Sequence, residues 1–126
     1  MSLRFQRKED TLVSAIRLKL EFSSLEYQKW GDNQRALPGD WLVDNDGDVY
    51  TVAADSFAQT YENVSPGRWR KCTHIWATQA LVDGSVETQE GRSHYKAGDW
   101  IVSNDEAGTD AYAISAEKFQ RLYEPL

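Results

Sequence analysis

The sequence predicts an α+β protein, rich in strand, that is a tandem duplication of one small unit. The pentapeptide Gly-Asp-Trp-Leu-Val at residues 39–43 returns as Gly-Asp-Trp-Ile-Val at residues 98–102. Downstream, Tyr50 matches Tyr112 once three extra residues in the second loop are allowed for. Matching aromatic positions on both sides of a variable loop are typical of a repeated unit. We expect each copy to be a small curled antiparallel sheet, barrel-like, closed by a short C-terminal helix.

The repeat divides the chain into an N-terminal arm, copy 1, a linker and copy 2, which we place at residues 1–10, 11–63, 64–70 and 71–126. A unit of about 55 to 60 residues is marginal as an independent fold, because it buries too little apolar surface. We therefore expect the two copies to pack together as one globular body with approximate two-fold symmetry.

Strands are predicted from alternating apolar positions in the first part of each copy. Alternate residues from 12 to 22 are mostly apolar, which indicates a strand with one buried face. The counterpart at residues 74–82 is apolar and favours β-structure. Residues 86–91 and 93–97 follow as two short strands around a tight turn.

Each Gly-Asp pair then predicts a sharp turn, because glycine adopts unusual φ angles and aspartate bonds nearby backbone N–H groups. Trp-Leu-Val and Trp-Ile-Val begin the next strands, and Val-Tyr-Thr-Val at 49–52 and Ala-Tyr-Ala-Ile at 111–114 return. The polar residues between them predict hairpin loops.

A short helix is predicted at the end of each copy. Phe57 and Tyr61 are four residues apart, as are Phe119 and Tyr123, so each pair would share one helical face. Ser115 is placed to cap the second helix.

Composition narrows the function. The net charge is −6 and the positive residues are scattered, which disfavours nucleic-acid binding because that binding needs a basic face. Cys72 is the single cysteine, so an internal disulfide and a cysteine-based metal site are excluded. No apolar run reaches the roughly 20 residues that span a membrane, and we expect a cytoplasmic protein.

Several motifs resemble one group of proteins. Thr-Gln-Glu-Gly at 88–91 precedes Ala-Gly-Asp-Trp at 97–100, and Pro-Gly-Asp-Trp at 38–41 precedes Thr-Tyr-Glu at 60–62. They resemble the ending Pro-Gly-Asp-Trp-(Ile/Leu)-Val … Gly-x-x-Tyr … Phe-x-x-Thr-Tyr-Glu of small phage and prophage proteins, here present twice. The Lys-Pro-Asp that precedes the phenylalanine in that group is missing from both copies. The resemblance implies a mobile-element origin and an accessory role.

Candidate site residues come from the repeated turns and the aromatic positions. Each turn aspartate is either a backbone cap or one member of a pair of acids. The repeated aromatics either pack in the core or line a groove between the copies. Tryptophans without a counterpart are better candidates for function, since the repeat does not require them. The candidate surface for a ligand or partner comprises Trp41, Trp100, Tyr50, Tyr112, Asp40, Asp99, Trp30 and Trp76.

No catalytic residue, metal site or cofactor is predicted. The acidic stretch at residues 44–48 lacks the spacing of a calcium loop and is better interpreted as a hairpin turn. His74 and His94 form no short metal-binding pair.

Two hypotheses for function remain. The first is a non-enzymatic interaction module of phage or prophage type that binds another protein. The alternative is a protein that binds a small ligand or nucleotide at the cleft between the two copies. An enzyme is favoured less than either, because no catalytic constellation stands out.

Overall fold

The computed structural model describes residues 3–8 and 11–126, and these form fourteen β-strands and two α-helices. The first half contributes β1 (Leu3–Arg7), β2 (Leu12–Arg17), β3 (Leu25–Lys29), β4 (Asp32–Ala36), β5 (Trp41–Asn45), β6 (Asp48–Val52), α1 (Ala54–Thr60) and β7 (Tyr61–Ser65). The second half contributes β8 (Arg68–Lys71), β9 (Ile75–Gln79), β10 (Gly84–Glu87), β11 (Arg92–Tyr95), β12 (Trp100–Ser103), β13 (Ala111–Ile114), α2 (Ala116–Leu122) and β14 (Tyr123–Pro125). The predicted α+β class with a majority of strand is confirmed.

The strands form two five-stranded antiparallel sheets and two separate hairpins. Sheet 1 has the order β6-β5-β2-β8-β7, and sheet 2 has the order β13-β12-β9-β1-β14. The first strand of the chain therefore lies in sheet 2, and β8 lies in sheet 1. Each sheet thus takes one inner strand from the other half of the chain, and we call β1 and β8 the exchanged strands.

The sheets are open, so the expectation of curled, barrel-like sheets is wrong. The outer strands are β6 and β7 in sheet 1 and β13 and β14 in sheet 2, and within the described residues neither pair is hydrogen-bonded. A barrel requires such pairing between its two edges. Here a helix connects the two edge strands of each sheet, α1 in sheet 1 and α2 in sheet 2. Phe57 of α1 and Phe119 of α2 pack into the apolar clusters of their sheets.

Residues that the sequence places in an arm and a linker belong to the sheets. Leu3–Arg7 of the predicted arm is β1, while residues 1, 2, 9 and 10 lie outside the described part of the chain. Residues 64–70, predicted as a linker, contain the end of β7 and most of β8. Pro66 and Gly67 form the turn between those strands, with Ser65 opposite Arg68. The helix breakers at this position therefore make a hairpin.

Both helices are seven residues long and end one residue before the tyrosine that was expected on their apolar face. Tyr61 and Tyr123 have extended backbones and begin β7 and β14, so the prediction that they are helical is wrong. The Phe57 and Tyr61 rings still stack with centroids 4.6 Å apart. Ser115 caps α2 as predicted, because its side chain accepts a hydrogen bond from the Lys118 N–H.

A tryptophan holds each helix on its sheet. Trp41 of β5 stacks on Phe57 of α1 with centroids 4.1 Å apart, and Trp100 of β12 stacks on Phe119 of α2, also at 4.1 Å. The two clusters also bury residues of the inner strands, namely Val13 and Val43 in the first and Phe5, Ile75, Ala77 and Val102 in the second. No helix of the described residues is long and apolar enough to cross a bilayer.

The two hairpins, β3–β4 and β10–β11, join the halves directly. The Arg35 N–H donates to the carbonyl of Glu90 (2.6 Å), and the His94 N–H donates to the carbonyl of Trp30 (3.0 Å). The buried Gln34 side chain adds a bond from Nε2 to the carbonyl of Arg92 (2.9 Å). These bonds fix the position of the hairpin tips against one another.

Candidate functional site

A cavity of about 390 Å³ is lined by residues from both five-stranded sheets and both hairpins. Residues of β6, α1 and β7 contribute one part of its wall, and residues of β13, α2 and β14 contribute another. Sites for small ligands measure about 300 to 1,000 Å³, so the cavity has room for a small organic molecule.

Two buried cations lie in the cavity wall, one from each exchanged strand. Arg7 is 9% exposed and Lys71 is 5% exposed. The Arg7 guanidinium stands over the ring of Tyr123 at 5.4 Å, and its Nε and Nη1 atoms have no hydrogen-bond partner within the described residues. Lys71 Nζ donates to the hydroxyl of Tyr112 (2.7 Å), and burial lowers the pKa of this lysine.

Four tyrosines surround these cations: Tyr50, Tyr61, Tyr112 and Tyr123. The hydroxyls of Tyr112 and Tyr123 are 3.0 Å apart and share a hydrogen bond. Burial raises the pKa of the Tyr50, Tyr61 and Tyr112 hydroxyls. Burial acts on Tyr123 in the same direction, but the charges of Lys71 and Arg7 outweigh it and lower the pKa of Tyr123. The electrostatic potential at this hydroxyl is therefore positive.

Acidic side chains in the cavity wall are already engaged by groups of the protein. Asp48 forms ion pairs with Lys29 (2.7 Å) and with Lys118 of α2. Asp110 accepts hydrogen bonds from the Ser56 hydroxyl (2.6 Å) and the Asn104 amide (3.0 Å). Burial and the neighbouring cations, Lys29 first, lower the pKa of Lys118 to about 8. Two of these contacts connect the halves, since Asp48 and Lys118 belong to different halves, as do Ser56 and Asp110.

The tips of the two hairpins reach the same cavity. Trp30 lies in the turn after β3 with a positive φ of 56°, and its ring centroid lies 5.8 Å from that of Tyr50. Glu90, at the other tip, accepts a hydrogen bond through Oε2 from the Ala53 N–H at the start of α1 (2.9 Å). Burial raises the pKa of Glu90 to about 7, and the nearby charge of Asp110 contributes in the same direction.

Half of the sequence-predicted site residues line the cavity. Tyr50 and Tyr112 do so from β6 and β13, and Trp30 and Asp99 do so from the hairpin side. Asp99 also accepts a hydrogen bond from the Lys96 N–H (2.9 Å), as the turn interpretation predicts.

The other predicted residues lie elsewhere. Trp41 and Trp100 pack between sheet and helix, in the role that core packing predicts. Asp40 caps the backbone, with Oδ2 accepting from the Leu37 N–H (2.8 Å) and Oδ1 from the Ala54 N–H at the start of α1 (3.0 Å). Trp76 stands on β9 beside the guanidinium of Arg4, 5.0 Å from its ring centroid.

The two buried cations were not predicted from the sequence. Arg7-Lys8 in the first copy resembles Arg70-Lys71 in the second, which matches Arg7 with Arg70. The register of the sheets instead places Arg7 opposite Tyr123 and Lys71 opposite Tyr61. Arg7 follows Phe5 by two residues, and Lys71 follows Trp69 by two residues. In a strand, residues two apart point to the same face, so each cation lies on the face of its aromatic neighbour. This two-residue spacing is the signal in the sequence, and it can be used only if both segments are recognised as strands.

Glu90 was also missed, although the sequence marks its position. Gly31 and Gly91 occupy similar places in the two copies, and the residues before them are Trp30 and Glu90.

Among the described residues, no group of three His, Cys, Asp or Glu side chains is arranged to hold a metal ion. In the acidic loop, Asp44 accepts a hydrogen bond from the Gly47 N–H (2.8 Å), which is the hairpin arrangement.

Comparison with known proteins adds no relative: no family model, curated protein or solved structure matches the chain.

Proposed function

We propose that the chain is a small-molecule-binding protein whose ligand occupies the cavity between its two halves. The observation that carries this proposal is a cavity of about 390 Å³ with buried polar groups that the protein itself leaves unsatisfied. A buried polar group without a partner destabilises the fold, so a chain selected for stability alone would fill this space with apolar side chains. A ligand that completes the hydrogen bonds accounts for both the space and the groups.

The proposal is for binding without turnover. The cavity hydroxyls that carry shifted pKa values are tyrosines, and the carboxylates of Asp48 and Asp110 are committed to ion pairs or hydrogen bonds. His94 pairs with Asp32 at the hairpin (3.3 Å) and does not activate a serine through any hydrogen bond of the described residues. The described site therefore contains no hydrogen-bonded Ser–His or Cys–His pair, the arrangement that most often activates a nucleophile for acyl transfer.

The proposed ligand can be sought with a thermal-shift panel of nucleotides, sugars, amino acids and organic acids. A ligand that binds the folded state and not the unfolded state raises the Tm, and the rise grows with the ratio of ligand concentration to Kd. Ala113→Trp places a large side chain at the cavity wall and should abolish the shift, whereas Ala58→Trp on the exposed face of α1 should preserve it. Mass spectrometry of the solvent-extracted protein provides a second measurement if Ala113→Trp does not fold. A panel without any shift, together with an empty extract, contradicts the proposal.

We also propose that the two halves arose by duplication of one unit. The supporting observations are the same strand order in both sheets and the same Trp-on-Phe stack beneath each helix. The cavity then has two matched walls, which is the arrangement expected where two related units meet. An experimental structure in which the halves differ in strand order would contradict this origin. The resemblance to phage and prophage proteins stays a prediction.

A second candidate function is an interaction module that binds another protein. Leu81 and Val82, adjacent residues after β9, are 90% and 70% exposed. Leu20, in the corresponding loop after β2, is 71% exposed. Neighbouring exposed apolar side chains favour a partner surface. Leu81→Ser combined with Val82→Ser should abolish binding of a purified candidate partner, while Leu37→Ser on another exposed turn should not. Equal binding by both variants contradicts this candidate.

A further inference from the structure

We propose that Arg7 and Lys71 together form a receptor for an oxyanion, a carboxylate or a phosphate, carried by the ligand of the cavity. This inference rests on the proposed binding function and specifies the chemical class of the ligand. Its starting point is the fold, because the exchanged strands bring one cation from each half of the chain into the same cavity wall.

Within residues 3–8 and 11–126, the two cations lack a counter-charge. Neither Arg7 nor Lys71 takes part in an ion pair within the described residues. Both side chains are buried, with 9% of Arg7 and 5% of Lys71 exposed. A buried cation is costly unless an anion compensates it. Asp110 is close enough to influence the pKa of Lys71, but its carboxylate is held by Ser56 and Asn104. The described part of the chain therefore leaves two positive charges for another group to neutralise.

The hydrogen-bond pattern also selects an acceptor. Arginine carries N–H donors and no acceptor, so the unpartnered Nε and Nη1 of Arg7 can be satisfied only by a group that accepts. A carboxylate or phosphate oxygen does this with charge-assisted bonds, which are roughly twice as strong as neutral ones. The stacked ring of Tyr123 beneath the guanidinium limits the directions from which such a group can approach.

The surrounding hydroxyls complete the receptor. Lys71 donates a hydrogen bond to Tyr112, and Tyr112 shares one with Tyr123. Because Arg7 stands over the Tyr123 ring, this network runs from the cation of β8 to that of β1. The cations already lower the pKa of Tyr123, which means that the site stabilises negative charge on an oxygen at this point. An oxyanion that enters beside Tyr123 takes up the negative charge that the site favours there and leaves the Tyr123 hydroxyl protonated, as a donor.

The test measures Tm and Kd at fixed pH and ionic strength with three probes: sodium phosphate, sodium acetate and sodium benzoate, against sodium chloride. Wild type should bind at least one oxyanion saturably, and its Tm should rise with the logarithm of that probe's concentration above the Kd. Arg7→Met and Lys71→Met should each raise the Kd at least tenfold, and Arg35→Gln, an exposed arginine on β4, should leave it unchanged. Response to phosphate alone assigns a phosphate group, and response to acetate or benzoate assigns a carboxylate; both support the inference.

A second readout separates a receptor from a merely structural pair. Binding of the oxyanion should raise the pKa of Tyr123, so an ultraviolet titration of wild type should show one phenolate forming at higher pH in the presence of the probe. Absence of this shift, or variants that bind the probes like wild type, overturns the inference. If a neutral compound binds, is blocked by Ala113→Trp and is unaffected by Arg7→Met, the oxyanion receptor is wrong while the binding function stands. If no compound and no anion binds, the binding function fails as well.

Discussion

Arg7 and Lys71 occupy the same register position in the two five-stranded sheets. Arg7 lies opposite Tyr123, the first residue of β14, and Lys71 lies opposite Tyr61, the first residue of β7. Both cations are therefore placed by the exchange of β1 and β8 between the halves, and both are held next to the residue that follows a helix. If β1 lay in sheet 1 and β8 in sheet 2, each cation would belong to the other sheet. The observed positions of both cations therefore depend on both halves of the chain.

Glu90 should make the stability of the protein depend on pH. Burial raises its pKa from 4.5 to about 7, so between these values the folded state holds a proton that the unfolded state has lost. The stabilisation by this proton is complete below about pH 4.5 and is lost as the pH rises through about 7. We expect a loss on the order of 2 kcal/mol in the free energy of unfolding.

The measurement is urea unfolding at pH 5 and pH 8 for wild type and Glu90→Gln. The glutamine retains an oxygen that can accept from the Ala53 N–H but does not ionise. The pH slope should therefore be smaller in the variant, and the variant should be the more stable of the two at pH 8. Parallel slopes would show that Glu90 ionises normally in the folded protein.

The two core tryptophans should make similar contributions to stability. Trp41→Ala and Trp100→Ala each remove a ring that stacks at 4.1 Å on a helix phenylalanine, and we expect each to lower the free energy of unfolding by about 3 kcal/mol. Trp76→Ala is the matched control, since its ring is partly buried like those of Trp41 and Trp100 but contacts the Arg4 guanidinium, a cation–π contact worth about 1 kcal/mol. Chemical denaturation followed by circular dichroism measures all three. A Trp76 variant as unstable as the others would contradict the assignment of the core.

The sequence predicted those parts of the fold that depend on local chemistry. The Gly-Asp turns, the hairpin around residues 44–48 and the Ser115 cap follow from residues close together in the chain. The sequence did not predict which face of β2 is buried. The alternation favours burial of Ile16, yet Ile16 is 64% exposed and Val13 is only 1% exposed. The partners of β2 are β5 and β8, and the packing of α1 on them decides which face is covered.

The sequence named some residues of the cavity and missed others. Tyr50 and Tyr112, which the repeated pattern matches with one another, both lie in the wall of one cavity. Arg7 and Lys71 were not predicted, since their burial depends on how the exchanged strands pair within the sheets. Long-range pairing of this kind leaves no trace in local periodicity.

Gly91 should be essential to the joint between the hairpins. A Cβ at this position would collide with the backbone carbonyl oxygen of Asn33, where Gly91 and Gln34 form a bridge. We expect Gly91→Ala to lower the free energy of unfolding by about 2 kcal/mol and to speed amide exchange at Arg35 and His94, whose N–H groups bond across the joint.

Gly47→Ala is the control for the backbone alone. Gly47 also has a positive φ of 91°, but nothing lies within 4 Å of the position that a Cβ would take there, so the substitution should cost only about 1 kcal/mol. The exchange rates at the joint should not change in this variant. Equal effects of the two substitutions, or unchanged exchange in Gly91→Ala, would contradict the role of the hairpin contact.

Cutting the chain between Pro66 and Gly67 should produce two fragments that fold only together. Fragment 1–66 contains β1 to β7, and fragment 67–126 contains β8 to β14, so each sheet loses an inner strand to the other fragment. An open gap between β2 and β7, or between β9 and β14, leaves backbone N–H and C=O groups unpaired and apolar side chains exposed. We expect each fragment alone to unfold without cooperativity, and the mixture to form a 1:1 complex with a cooperative transition. Size-exclusion chromatography and thermal denaturation measure both properties.

Removing residues 1–8 from the first fragment should prevent the complex, because the strand that fills sheet 2 is then missing. Two fragments that each fold as stable monomers, and that ignore one another when mixed, would show that the strand exchange does not hold the protein together.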